Sequence, residues 1–400
     1  MKQASQAIII GGGIGGPALS LFLRRAGIKS RIFEAYPEPT TVGGGFQIAP
    51  NGMRVLDALG LADRVCAAGV RSSTFVFRNK HGKVISQIDL SASGYGVTLK
   101  RAALQQILLD EIGQHDVPIK YGKRLCGLED EGDTVVARFE DGSVERGDIL
   151  LAVDGVHSRA RALILPDYSS ARYTGFLGIG GFAEAGSVAP ADPRDAHRLS
   201  FSVGSRFQFG YAMLSGAPVR WGWWTHLPQE REVTRLELQA IPDDVMRDRA
   251  LAAFKGWHPP VEALVSNTAK IVRTAIYDVP SLPRWYVCRV MLLGDAAHAM
   301  SPAGGQGASL ALEDAMLVSQ FLADGTGPLT EAFAKAESVQ RLRAERMVKQ
   351  AAENDRRQAK ELGPFGQWIR DRMFPLLAPV IARELRRQYT ALEHIGARAA

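Results

Sequence analysis

The sequence predicts an α/β fold of two interleaved domains, one on a parallel sheet and one on an antiparallel sheet, followed by a helical C-terminal segment. Three observations predict it. The β-branched run Ile8-Ile9-Ile10 opens into a glycine turn and a helix. Apolar strands near 148–153 and 290–293 each end on a glycine-aspartate pair. Residues 172–227 alternate apolar and polar positions at the period of a pleated strand. Four hundred residues, 46% hydrophobic, suffice to bury a large core and to form two or three domains.

The run "AIIIGGGIGGPALSLFLRRAG", residues 7–27, allows three readings: a secretion signal, a membrane anchor or a nucleotide turn. Its glycines are poor material for a membrane helix of about 20 apolar residues. A signal peptide needs small residues at a cleavage site, and here Arg24 and Arg25 follow the apolar stretch instead. The glycines fall at Gly11, Gly13 and Gly16, between a strand and a helix. That spacing lets the backbone bend, approach a pyrophosphate and pack helix on strand, with helix amides facing the anion. A second strand, Ser30 to Glu34, ends on a carboxylate at about the 20-residue distance of a ribose partner. The first domain is therefore Rossmann-like.

The formal charge of +6 is concentrated in basic stretches such as Arg341–Arg346 and Arg383–Arg387, and no nucleic-acid motif accompanies it. A solvated helix face accounts for it, with an anionic membrane surface or attraction of an anionic cofactor as the alternatives. Cys66, Cys126 and Cys288 are odd in number and widely spaced, which suits neither a disulfide framework nor a metal site. A reducing, cytoplasmic setting without a bound metal is expected.

Along the chain, "MRVLDALGLADRV" reads as a short helix ended at Gly60, and residues 73–90 as a hairpin turning at His81-Gly82. "LKRAALQQILLDEIG" reads as a helix with Leu104, Ile107, Leu108 and Ile112 on one face. The expected nucleotide domain is discontinuous, over 1–72, 98–171 and 275–330. The expected substrate domain takes 73–97 and 172–274, and the helical segment 331–400. In the second domain Phe209 and Tyr211 share one strand face, as do Trp221 and Trp223 on the next. This aromatic stripe is either core or the wall of a site for a planar apolar ligand.

Two further motifs narrow the nucleotide. "DILLAVDGVHSRAR" delivers Asp154-Gly155 at a strand end, and "VMLLGDAAHAMSPAGGQGASLALEDA" delivers Gly294-Asp295, a small-residue loop and a helix. Each aspartate can accept from sugar or ribityl hydroxyls, or cap the turn that follows it. With "GGGIGG", "GVHSRAR" and this last motif in order, residues 5–345 resemble the class A flavoprotein monooxygenases, the para-hydroxybenzoate hydroxylase-like family. The resemblance implies FAD as cofactor, with NADPH or NADH as a transient reductant. It assigns the pyrophosphate to Gly11, Gly13 and Gly16, the adenosine ribose to Glu34, and the flavin chain to Arg101. It gives the adenine to the Leu125 backbone and the ribityl-pyrophosphate portion to Gly294 and Asp295. Asp154 falls in the motif that serves both FAD and NAD(P)H. The loop beside the ring contains Pro302, Gly305 and Gly307. Phe209, Tyr211, Trp221 and Trp223, with Pro302, become substrate-binding candidates.

The implied activity is hydroxylation of an aromatic or polycyclic small molecule with O2, through a flavin hydroperoxide. The few charges among the aromatic stripes favour a neutral substrate, although Arg172, Arg198, Arg206 and Arg220 could hold a carboxylate. Epoxidation or Baeyer-Villiger oxidation on the same flavin is the alternative, followed by a flavin-binding protein without turnover. "WGWWTHLP" lacks the Trp-x-Trp-x-Ile-Pro continuation of flavin halogenases. Neither nucleic-acid binding nor stable membrane insertion is expected, and oligomeric state stays open.

Overall fold

In the computed structural model, which describes residues 4–39, 43–216, 219–325 and 327–392, β1 (Gln6–Ile10) leads through the glycine turn into α1 (Gly15–Arg25) and back to β2 (Lys29–Phe33). β1 and β2 pair in parallel, Ile10 opposite Phe33. Ile8, Ile9 and Ile10 are all buried, as expected of a parallel sheet covered on both faces. After β3 (Gly45–Ile48) and α2 (Pro50–Ala58), the chain forms the expected hairpin, β4 (Thr74–Asn79) and β5 (Val84–Asp89). Gly82 takes φ +85° in its turn. The α2 helix stops at Ala58, and Gly60 at φ +78° redirects the chain into a second short helix, Ala62–Ala68.

The chain then returns to the first layer. Helix α3 (Arg101–Gln114) buries Leu104, Ile107, Leu108 and Ile112, and β6 (Ile149–Ala152) pairs in parallel with β1. The second layer takes β7 (Arg172–Glu184), β8 (Arg198–Val203), β9 (Gln208–Gly216) and β10 (Val219–Pro228), followed by helices α4 (Asp243–Phe254) and α5 (Val261–Ser266) and then β11 (Val272–Asp278). Strand β12 (Val290–Leu292) closes on β6, and α6 (Gly307–Ala323), α7 (Leu329–Ala359) and α8 (Pro364–Thr390) complete the chain.

The first sheet has the order Tyr286–Val287, β12, β6, β1, β2, Ile119–Lys120, and the second β11, β7, β10, β9, β8, β4, β5. The second sheet is mixed rather than purely antiparallel. Its β8 runs parallel to β4, because the hairpin was laid down before the excursion through α3 and β6. The sheet also continues through Asp278, past the position 275 at which the sequence reading returns to the nucleotide domain. Of the expected helical segment, residues 393–400 lie outside the described residues. Pro364 opens α8, where a missing N–H costs nothing, and the helix runs on through Pro375 and Pro379.

Candidate active site

Three strand ends converge: those of β1, β6 and β12, which lie side by side in the first sheet. In such sheets ligands bind outside the carboxyl ends of the strands. The three glycines of the first turn do different things. Gly11 has φ +109°, and a Cβ there would overlap the Val153 carbonyl. A Cβ at Gly16 would overlap the Gly11 carbonyl, so this glycine lets α1 pack on β1. Gly13 is under no such pressure: the nearest atom to its would-be Cβ is Arg101 Nη2, at 3.7 Å. The space above Gly13 is therefore free, faced by an exposed guanidinium at the start of α3. A cation at a helix N-terminus is unfavourable unless an anion is nearby, and a diphosphate beside amides fits this cradle.

Glu34, at the end of β2, accepts from Gly12 N–H at 2.7 Å and Tyr36 N–H at 2.9 Å. Each oxygen keeps a lone pair for a sugar hydroxyl. Gln105 on α3 donates to the Gly12 carbonyl at 2.9 Å and locks the turn from the other side. Leu125 puts its side chain into the core beneath Phe33 and Phe139.

Asp154 proves to be an organiser of its own loop. It accepts from Ser158 Oγ at 2.5 Å and from Ala160 N–H at 3.0 Å, while crowding by protein pushes its carboxyl upward against those bonds. Arg161, absent from the sequence-based set, is buried and donates to the carbonyls of Ala296, Val156 and Ser169. It ties this loop to the Gly294-Asp295 turn.

At that turn Gly294 adopts φ +56° and gives its N–H to Asp314 on α6, at 2.7 Å. The same Asp314 oxygen meets His298 Nε2 at 2.7 Å. Burial disfavours charge on His298, but Asp314 and then Asp295 outweigh it and raise its pKa. Asp295 is solvent-exposed just beyond the end of β12, with Oδ1 facing Gly307 at the start of α6. The surrounding protein raises its pKa, opposed by His298 and Arg101. Pro302 and Gly305 are exposed; Gly305, in the left-handed region at φ +62°, gives its N–H to the Pro302 carbonyl at 2.9 Å and turns the chain so that the amides of Gln306 and Gly307 stand at the start of a 17-residue helix. Buried side-chain atoms of Asn51 and Gln306 have no partner among the described residues, an additional sign of a site shaped for a polar ligand.

The aromatic stripe is a correction. Phe209, Tyr211, Trp221 and Trp223 are each 2% exposed or less and belong to a core with Phe254 of α4 and Leu264 of α5. Phe209 stacks on Trp223 at 5.3 Å, and Trp223 Nε1 donates to Thr268 at 2.8 Å. Helices α4 and α5 cover this face, so these side chains line no substrate site. The opposite face turns toward the nucleotide layer. There Leu214 packs on Gly45 of β3, and His226 Nδ1 meets Asp355 of α7 at 3.2 Å. One turn back on α7, Ala351 touches Gly304 in the proline loop. Trp224 lies flat over Gly210 and meets Phe201 edge-on at 6.0 Å. Of the four candidate arginines, Arg172 is paired with Asp278, Arg198 with Asp192, and Arg206 lies over Phe207. Arg220 retains a buried Nε without a partner among the described residues. Among those residues no group of His, Cys, Asp and Glu is placed to hold a metal ion.

The comparisons with known proteins agree with this geometry. The family model described as "FAD binding domain" matches residues 4–351. The chain is 32% identical over 375 residues to an aurachin C monooxygenase/isomerase of Stigmatella aurantiaca, covering 92% of this chain and 91% of that protein. It is 30% identical to a 6-hydroxynicotinate 3-monooxygenase of Pseudomonas fluorescens, over 80% of this chain and 83% of the relative. Among solved structures, Klebsiella pneumoniae HpxO complexed with FAD and uric acid superposes with a TM-score of 0.78 at 26% identity, over 99% and 96% of the two chains. The chain belongs to the FAD binding domain family and, within it, to the class A flavoprotein monooxygenases.

Proposed function

We propose that this protein is a FAD-dependent monooxygenase that uses NADH or NADPH and O2 to hydroxylate a planar aromatic or polycyclic small molecule in the cytoplasm. The observation that carries this reading is the sheet face bearing Leu214, Trp224 and His226, where Leu214 packs on Gly45 and His226 meets Asp355 of α7, the helix that also touches the proline loop. Relatives named as monooxygenases of aurachin C and 6-hydroxynicotinate support it.

When bound, FAD supplies the redox chemistry, accepting a hydride and activating dioxygen. The chain supplies binding, orientation and dryness. Gly13 and Arg101 would hold the diphosphate, Glu34 and Asp295 the sugar and ribityl hydroxyls, and the amides of Gln306 and Gly307 the ring edge. Trp224 and Phe201, with Leu214 buried against Gly45 behind them, would form an apolar cover that excludes water, which an oxygen-activating site requires. The glycines at 210 and 222 keep that cover flat, since a side chain at either would collide with Trp224 or Leu214. His226, with Nδ1 against Asp355, leaves Nε2 to take the proton of a substrate hydroxyl. Arg220 is the cation available to an anionic substrate edge. The sequence has no second dinucleotide fingerprint, consistent with a transient nicotinamide site.

The test is an absorbance spectrum of purified protein, then anaerobic reduction by NADH and NADPH across a panel of phenols, quinolones and polyketides. A released-FAD spectrum, with reduction accelerated by one compound that is then hydroxylated in air, is expected. Flavin that neither nicotinamide reduces with any compound would overturn the reading.

A further inference from the structure

Helix α8 has two different faces. The inner one packs Phe374, Ala378, Ile381 and Tyr389 against the β4–β5 hairpin and its neighbours. The outer one presents Phe365, Trp368, Met373, Leu376, Leu377 and Val380 to solvent, with Phe365 73%, Leu376 69% and Val380 66% exposed. Of the fifteen large hydrophobic side chains exposed among the described residues, seven stand on this one helix. Scattered exposed apolar residues need no explanation, but a contiguous stripe does. This one runs from 365 to 380, about 22 Å along the axis.

The charges on the same face indicate what covers it. Arg372 lies over the Trp368 ring at 4.5 Å, and the stripe continues beyond Val380 into Arg383 and Arg387. None of these three forms an ion pair among the described residues, whereas Asp371 is turned inward to Arg370 and Asn79. Glu384 is the acid left outside. A second copy would bring the same excess of positive charge against itself, while an anionic surface would neutralise it. Aromatic and aliphatic residues beside arginines are the composition of a helix lying in a bilayer interface. No described helix is long and apolar enough to cross a membrane, so this one would lie on the surface.

We propose that the outer face of α8 docks this enzyme onto an anionic lipid surface. This goes beyond the catalytic reading and holds whatever the substrate.

The test is flotation of the FAD-loaded full chain with vesicles of phosphatidylcholine, with and without phosphatidylglycerol. Flotation with the anionic vesicles, reversed by high salt, is expected. Leu376→Gln with Val380→Gln should lower the bound fraction about tenfold at unchanged FAD content. Arg372→Glu with Arg383→Glu and Arg387→Glu should abolish the preference for phosphatidylglycerol. Two results would overturn the proposal: no flotation with anionic vesicles at low salt, or a dimer in sedimentation that Leu376→Gln splits while vesicle binding is absent. The second would assign the face to another copy of the chain.

Discussion

The two faces of the seven-stranded sheet are made by the same strands and do opposite work. On one, Phe209, Tyr211, Trp221 and Trp223 interlock with α4 and α5 as a closed core. On the other, Gly210 and Gly222 leave room for Trp224 and Leu214 to lie flat toward the nucleotide layer. The face whose aromatics are sealed by α4 and α5 is the structural one. A core is filled to close packing, whereas a site that must admit a ligand leaves room beside its large residues.

The largest effect that tests this contrast is on the closed face. Arg78 there is ion-paired with Asp195 at 2.9 Å, both side chains at most 3% exposed, and donates to Ser200 and Tyr211. Burial pushes the Tyr211 phenol well above its ordinary pKa, so it stays a neutral acceptor and donor in this network. Asp195→Ala leaves the guanidinium buried without its counter-charge and should cost about 3–5 kcal/mol in denaturant unfolding. Trp223→Ala should cost a similar amount, about 3–5 kcal/mol, through the cavity it leaves. Retention of full stability in both would show that α4 and α5 do not seal that face.

Across the sheet, Trp224→Ala should lower stability by less than about 1.5 kcal/mol and act on turnover instead. With water admitted, the ratio of hydrogen peroxide released to product formed should rise several-fold at a similar rate of NAD(P)H oxidation. Measuring peroxide and product in parallel checks it. Unchanged coupling would remove Trp224 from the cover and leave the two faces alike in function.

The elements and motifs that lie within about 25 residues of one another were legible in the sequence. The Gly11–Gly16 turn with Glu34, the Asp154 loop and the Gly294–Gly307 stretch each pair a strand end with local loop chemistry, which sequence spacing records. Choosing between the two sheet faces was not legible, because alternation gives two faces and the layer that covers one comes from residues 243–266. The same distance in sequence hid Arg161 reaching Ala296 and His226 reaching Asp355. Neither of these pairs has a motif, since the partners meet only after the sheets assemble.

A smaller effect separates the nucleotide cradle from both sheet faces. Asp295→Ala removes an exposed carboxylate that makes no hydrogen bond within the described protein, so unfolding of the flavin-free chain should change by less than about 0.5 kcal/mol. Its loss should instead weaken FAD retention about tenfold, through a charge-assisted hydrogen bond to a hydroxyl. Flavin content after gel filtration and the FAD dissociation constant measure it. Normal retention would make Asp295 a turn residue and leave Glu34 and Arg101 as the polar anchors.

The smallest effect is a pH dependence. His298 and Asp314 form a buried pair at 2.7 Å, and the pKa of His298 is raised because Asp314 outweighs the cost of burial. A histidine whose folded pKa lies above its unfolded value of about 6.5 binds its proton more tightly in the folded state. The stabilisation is thus complete below that unfolded value and is lost as pH rises through the raised folded one. Because the same Asp314 oxygen holds Gly294 N–H, deprotonation of His298 should loosen the turn that carries Asp295. The midpoint of thermal unfolding should fall on the alkaline side of neutrality, with FAD dissociation accelerating over the same range. His298→Gln keeps a donor toward Asp314 but cannot titrate, so it should flatten both profiles in that window while lowering the plateau at acid pH. A variant whose profile still follows the parent would place the titrating group elsewhere. The Gly294–Asp295 turn would then be held by the backbone and Asp314 alone.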